Sequence, residues 1–139
     1  MTIEFADIEL INSNDLSLFR KNIIGDGEVR KTKVKMKADK SLYLMCINET
    51  IKKELGLEIV YKKKVINSNG DIEEFDVVGP IDIRFKNRKA TCNAFVLRGD
   101  SEPLLGAIPM EEMDVLIHPL RQELIVNPEH PNYAVLKMK

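Results

Sequence analysis

Tryptophan does not occur in this chain of 139 residues, and the aromatic complement is three tyrosines and five phenylalanines. That removes one common anchor for sugar rings and stacked bases. Cysteine is nearly as scarce. Cys46 and Cys92 each sit in an apolar, strand-like neighbourhood, and both read as buried free thiols rather than as a disulfide. Neither sign of charge dominates: 21 basic against 22 acidic residues leaves a net charge of −1, so no overall field draws the chain to nucleic acid or a lipid surface. No apolar run approaches the ~20 residues that cross a bilayer, which excludes a helical membrane anchor within this sequence. The opening MTIEFADIEL has acidic residues and no basic n-region, so the expectation is no signal peptide and a cytoplasmic protein. The two histidines, His118 and His130, have no Cys or acidic neighbours at metal-ligand spacing. There is also no P-loop, dinucleotide fingerprint, Ser-His-Asp order or internal repeat. Neither a metal nor a cofactor is expected.

The length fits a single domain, residues 1–139, with 132–139 as a tail, and 44% apolar with 31% charged residues is ordinary for a globular protein. The most informative stretch is Val34 to Leu57, VKMKADKSLYLMCINETIKKELGL. Lys35 and Lys37 alternate with Val34, Met36 and Ala38, the period of a half-buried strand. Asp39-Lys40-Ser41 is polar and turn-compatible. Leu42 to Ile47 is almost unbroken apolar sequence and predicts a strand buried on both faces. Asn48 is suited to cap a helix over Glu49–Leu55, with Ile51 and Leu55 on one face and Gly56 able to stop it in the left-handed conformation.

This order resembles the active-site region of the retropepsin-like aspartic proteases, in particular the small single-domain bacterial and archaeal type. Their pattern runs a strand into Asp-Thr-Gly-Ala, then an apolar strand, then a helix ending in Leu-Gly-Leu. Ala38-Asp39, Cys46-Ile47-Asn48-Glu49 and Glu54-Leu55-Gly56-Leu57 match it without a gap. Lys40, Ser41 and Leu42 stand where the family has Thr, Gly and Ala, and Lys37 replaces a usually apolar residue. The resemblance implies an all-β fold, a partly closed β-barrel with one or two short helices. It also implies a catalytic role for Asp39, with Lys40, Ser41 and Leu42 as its loop.

Elsewhere the pattern predicts strands at Thr2–Ile11, Glu28–Ala38, Glu58–Ile66, Ile72–Val78, Ile81–Phe85, Ala90–Leu97, Val115–Ile117 and Glu123–Val126. Asp15 is placed to cap a short helix through Leu16, Leu18 and Phe19. Asn87-Arg88 reads as a tight turn. Arg30, Lys31, Lys33, Lys35, Lys37 and Lys40 form a basic row. With no aromatics between them it reads as a solvated or protected face rather than a nucleic-acid track. Asn67-Ser68-Asn69-Gly70 carries the Asn-Gly hairpin signal, and the resemblance makes this hairpin the flap that closes over substrate. Leu104-Leu105-Gly106 matches the family's second signature, two apolar residues and a glycine beside the catalytic loop, where a β-carbon would crowd the strand carrying Asp39. Pro109 suits the first turn of a short helix near Met110–Met113. His118-Pro119 stands where the family often has Asp-Pro.

An aspartic peptidase needs two carboxylates facing one water and sharing one proton. This chain offers one, so the resemblance implies a homodimer with Asp39 from each copy at a two-fold axis, and a peptide or protein substrate. Lys40 cannot reproduce the hydroxyl that ties the two loops together in the family, and it brings one ammonium per chain to the axis. The alternative is therefore a retropepsin-fold dimer that does not cleave but binds extended peptides or a partner protein by strand addition. Neither reading includes nucleic acid or a membrane.

Overall fold

The computed structural model describes residues 5–138. Thr2–Glu4 of the expected first strand fall outside that range. Within it, β1 (Phe5–Asn12) pairs antiparallel with β2 (Lys31–Ala38), Phe5 opposite Lys37 through Ile11 opposite Lys31. Period two then decides the faces. Ala6, Ile8 and Leu10 point into the core with Met36 and Ala38. On the outer face Asp7 lies opposite Lys35 and Glu9 opposite Lys33, and Lys35 Nζ is 3.0 Å from Asp7 Oδ1. The basic row is thus laced with acids from the neighbouring strand, an exposed ladder of small energetic worth.

Between these strands the chain forms α1 (Ser13–Arg20) and a 3-10 turn at Asp26–Glu28. The helix is capped by Asn12, whose Oδ1 accepts from Asp15 N–H at 3.0 Å, and not by Asp15. The reason is that Asn12 ends β1 with extended backbone and uses its amide twice, donating from Nδ2 to Leu55 O at 2.7 Å. Asp15 is left in the first turn, where it takes the Arg30 guanidinium instead. β2 starts at Lys31 rather than Glu28, because the 3-10 turn consumes Glu28; its carboxylate accepts from Gly25 N–H at 3.1 Å.

β3 (Met45–Asn48) runs into α2 (Glu49–Leu55). Asn48 Oδ1 accepts from Ile51 N–H at 2.9 Å, Ile51 and Leu55 are buried, and Gly56 ends the helix at φ 58°. This helix has the bounds and both caps that the sequence predicts. β4 (Glu58–Ile66) and β5 (Ile72–Phe85) form a long hairpin. β5 is one strand where the sequence predicts two, and its register breaks between Val78 and Ile81, at Gly79-Pro80. The following turn is Lys86-Asn87, with Arg88 already in β6 (Arg88–Leu97) and buried. β7 (Leu104–Leu105), α3 (Ala107–Met113) and a separate hairpin of β8 (Val115–Ile117) and β9 (Leu124–Val126) complete the elements.

The large sheet has the order β1-β2-β7-β3-β6-β5-β4, and β1 also pairs with β5. Six strands therefore close into a ring, and β4 hangs outside it on β5. The ring is filled by Ile8, Leu10, Met36, Met45, Ile47, Ile81, Ile83 and Leu105, with Leu55, Met110 and Met113 closing it from the helices. The chain is mostly β, with three short α-helices among the described residues rather than one or two. Cys46 is buried and Cys92 half-buried, and both are free. Burial pushes the Cys46 thiol up to about 11, with Asp39 adding to it, and the Cys92 thiol up to about 12, with Glu112 adding to it.

Candidate functional site

β7 threads between β2, which it meets in parallel, and β3, which it meets antiparallel. Two backbone bonds from the end of β2 secure this crossing, the second made by Asp39 itself. Lys37 N–H donates to Pro103 O at 3.3 Å and Asp39 N–H to Leu105 O at 2.8 Å. Asp39 is thereby held at the exit of β2, directly beside fully buried Leu105.

The loop that follows turns on the Asp39 carboxylate. Ser41 N–H and Ser41 Oγ–H both donate to Oδ1, at 3.0 and 2.6 Å, and Leu42 N–H donates to the Asp39 carbonyl at 3.2 Å. Oδ2 accepts no hydrogen bond among the described residues. Ser41 therefore gives the Asp39 carboxylate both a backbone N–H and a hydroxyl. Lys40 is exposed, and none of the ion pairs among the described residues involves it.

Leu42, Tyr43 and Leu44 do not join β3 as their apolar character predicts. A strand ladder is not their only outlet for backbone polar groups: the carbonyls of Leu42 and Tyr43 accept from Ala107 and Ile108 N–H at 2.7 and 3.0 Å. These donors are the free N–H groups of the first turn of α3. Gly106, at the entry to that turn, is pressed against the same loop; a β-carbon there would lie 2.6 Å from Leu42 O and 1.7 Å from Leu44 O. The glycine thus clears the loop after Asp39 rather than the strand before it. Leu42 is half-buried, while Tyr43 is 68% exposed beside the loop, a position that the sequence does not single out.

The turn of the β4–β5 hairpin is longer than a two-residue Asn-Gly turn. Asn67 organises it alone: its Oδ1 accepts from Asn69 and Asp71 N–H, its Nδ2 donates to Glu73, and its backbone binds Asp71 O and Gly70 N–H. Ser68 and Asn69 are the turn's apex, and Gly70 takes φ 83°. All of these bonds stay within the hairpin. Ile66 and Ile72, opposite each other at its tip, are 71% and 68% exposed.

Two polar clusters have no signature in the sequence. His118 Nδ1 accepts from Leu120 and Arg121 N–H, the part a carboxylate plays in an Asp-Pro turn. Asp114 gathers the segment after β9: Asn127 Nδ2 on Oδ1, and His130 Nδ1 and Val135 N–H on Oδ2. Among the described residues no group of three or more His, Cys, Asp and Glu side chains is arranged to hold a metal ion. Nor is any helix among them long and apolar enough to cross a membrane.

No protein-family model matches the chain, and no curated protein does. Among solved structures it is similar to the retroviral protease-like domain of Ddi1 from Leishmania major, with a TM-score of 0.56 at 10% identity over 92% of this chain and 90% of that one. At that identity the likeness speaks for the backbone alone: a mostly-β chain with β7 threaded between β2 and β3, whose fold is retropepsin-like.

Proposed function

We propose that the chain is a retropepsin-like aspartic peptidase domain that supplies half of its active site, the other half coming from a second copy. The observation that carries this reading is the setting of Asp39. Its backbone is tied to Leu105, one carboxylate oxygen is held by Ser41, and the other is left without a partner among the described residues. Two such carboxylates meeting at ~3 Å hold one proton between them. One then polarises the scissile carbonyl while the other takes a proton from the attacking water. The hairpin of β4 and β5 is the flap, and an extended peptide lies beneath it. The test is cleavage of an unstructured protein at mildly acidic pH by the parent chain and by Asp39→Asn. Cleavage that disappears in the variant supports the reading; cleavage equal in both would assign it to a contaminant.

A second reading is favoured by Lys40, which puts a cation where a hydroxyl would tie the two loops together. In it the dimer binds extended peptides without cutting them. Tight peptide binding, unchanged in Asp39→Asn and with no product over long incubation, would select it.

A further inference from the structure

Beside the Asp39 loop lies a cavity of about 350 Å3 walled by Lys40, Ala107, Met110, Glu111, Val115 and Leu116. Four of these residues are apolar. The other two are exposed and carry opposite charges. Neither takes part in an ion pair among the described residues, although they share one wall.

Lys40 follows Asp39 directly and is exposed, so a copy that brings a second Asp39 to the first also comes close to Lys40. An ammonium covered without a counter-charge is strongly disfavoured. Two of them near a two-fold axis would also repel each other. A two-fold interface is self-complementary: where one residue meets another across it, the reverse contact also forms. Glu111 is the carboxylate on the same wall.

Resting on the two-copy reading above, we infer that Lys40 of each copy is taken by Glu111 of the second copy. The two reciprocal ion pairs replace the cross-axis hydroxyl. They also draw each ammonium off the axis and away from the Asp39 pair, and bring the second copy against half-buried Ala107 and Leu116.

The test measures dimer dissociation by sedimentation for the parent, Lys40→Glu, Glu111→Lys and an equimolar mixture of the two variants. Circular dichroism verifies that each variant is folded. Each variant alone should dissociate at least ~10-fold more readily at low salt, since both interfacial pairs become like-charged. The mixture should recover a dimer within ~3-fold of the parent. In a mixed dimer the new carboxylate at position 40 of one copy meets the new ammonium at position 111 of the other, and the unaltered Lys40 and Glu111 meet each other. Salt near ~1 M should shrink all these differences. Variants that dimerise like the parent overturn the inference. So does a mixture that stays dissociated while the double variant Lys40→Glu/Glu111→Lys, measured alongside, dimerises like the parent, since that pattern belongs to a pair within one chain. A parent that is monomeric throughout the micromolar range overturns the two-copy reading itself, which separates its failure from that of the ion pairs.

Discussion

A β-carbon on Gly106 would stand 1.7 Å from the carbonyl oxygen of Leu44. Gly106 has an ordinary backbone, φ −93° and ψ −174°, so the requirement for glycine is contact alone and not conformational freedom. Gly106→Ala should therefore destabilise by about 3 kcal/mol, the upper range for forcing atoms into a packed site. A urea midpoint within error of the parent would mean that the loop after Asp39 yields freely, and that its geometry is not set by α3.

Arg30 binds Asp15 with both ends of its fork, Nε to Oδ2 at 2.7 Å and Nη2 to Oδ1 at 3.0 Å, and adds its backbone N–H at 3.0 Å. The Arg30 hydrogen bond lowers the Asp15 carboxyl below its ordinary 3.8, against the opposing effect of burial. A depressed folded value means that this stabilisation is complete above the unfolded value and is lost as pH falls through the folded one. Asp15→Asn should cost about 2 kcal/mol at pH 7, and parent and variant should converge in stability as pH falls through the lowered folded value, below 3.8. Chemical unfolding at the two pH values checks this, and a gap that persists in acid would contradict it.

The segment after β9 depends on Asp114 in the same sense. Burial pushes its carboxyl up, but the Val135 N–H, the Asn127 amide and the His130 imidazole together hold it below 3.8. Asp114 has φ 54°, which asparagine tolerates, so Asp114→Asn leaves the backbone in place. It replaces a charged acceptor with a weaker neutral one. The Val135 amide should exchange several-fold faster in the variant at neutral pH. In the parent it should lose protection as pH falls below 3.8. Unchanged exchange in the variant would show that the segment is held elsewhere.

Hydrogen exchange also tests whether the β4–β5 hairpin opens as the proposed flap. The bonds at its turn are internal to the hairpin and exposed. By contrast Met45 and Ile47 are fully buried. Amides of 66–72 should exchange orders of magnitude faster than those of Met45–Ile47; equal rates would rule out a hairpin that opens.

The retropepsin-like fold is legible in the sequence because its strongest signals are local. Asn48, Ile51, Leu55 and Gly56 each have a role that spacing alone defines, and α2 forms with those bounds. Sequence and structure part where a residue has two outlets and tertiary contact chooses. Asn12 outcompetes Asp15 as a cap because its amide also reaches Leu55, 43 residues away. Leu42–Leu44 leave β3 because α3, distant in sequence, offers its free N–H groups. Asn87-Arg88 has the composition of a turn, but Arg88 is drawn into β6 and buried at 2% exposure. The surroundings of Asp39 are partly visible, as a carboxylate at a tight bend. The wall that Lys40 shares with Glu111 is not, since Glu111 lies 71 positions further on and no pattern links the two.

Closing six strands into a ring leaves the large sheet, among the described residues, with one long unpaired margin, the outer side of β4. A nine-residue edge strand with Ile59, Val60 and Tyr61 about half exposed would template fibril growth if nothing opposed it. Lys62-Lys63-Lys64 lies along that margin. A run that says nothing about substrate or catalysis thus acts as a gatekeeper: strands stacking there would crowd Lys62 and Lys64 of each chain on one face and Lys63 on the other, and their repulsion opposes the addition of one β4 to the next.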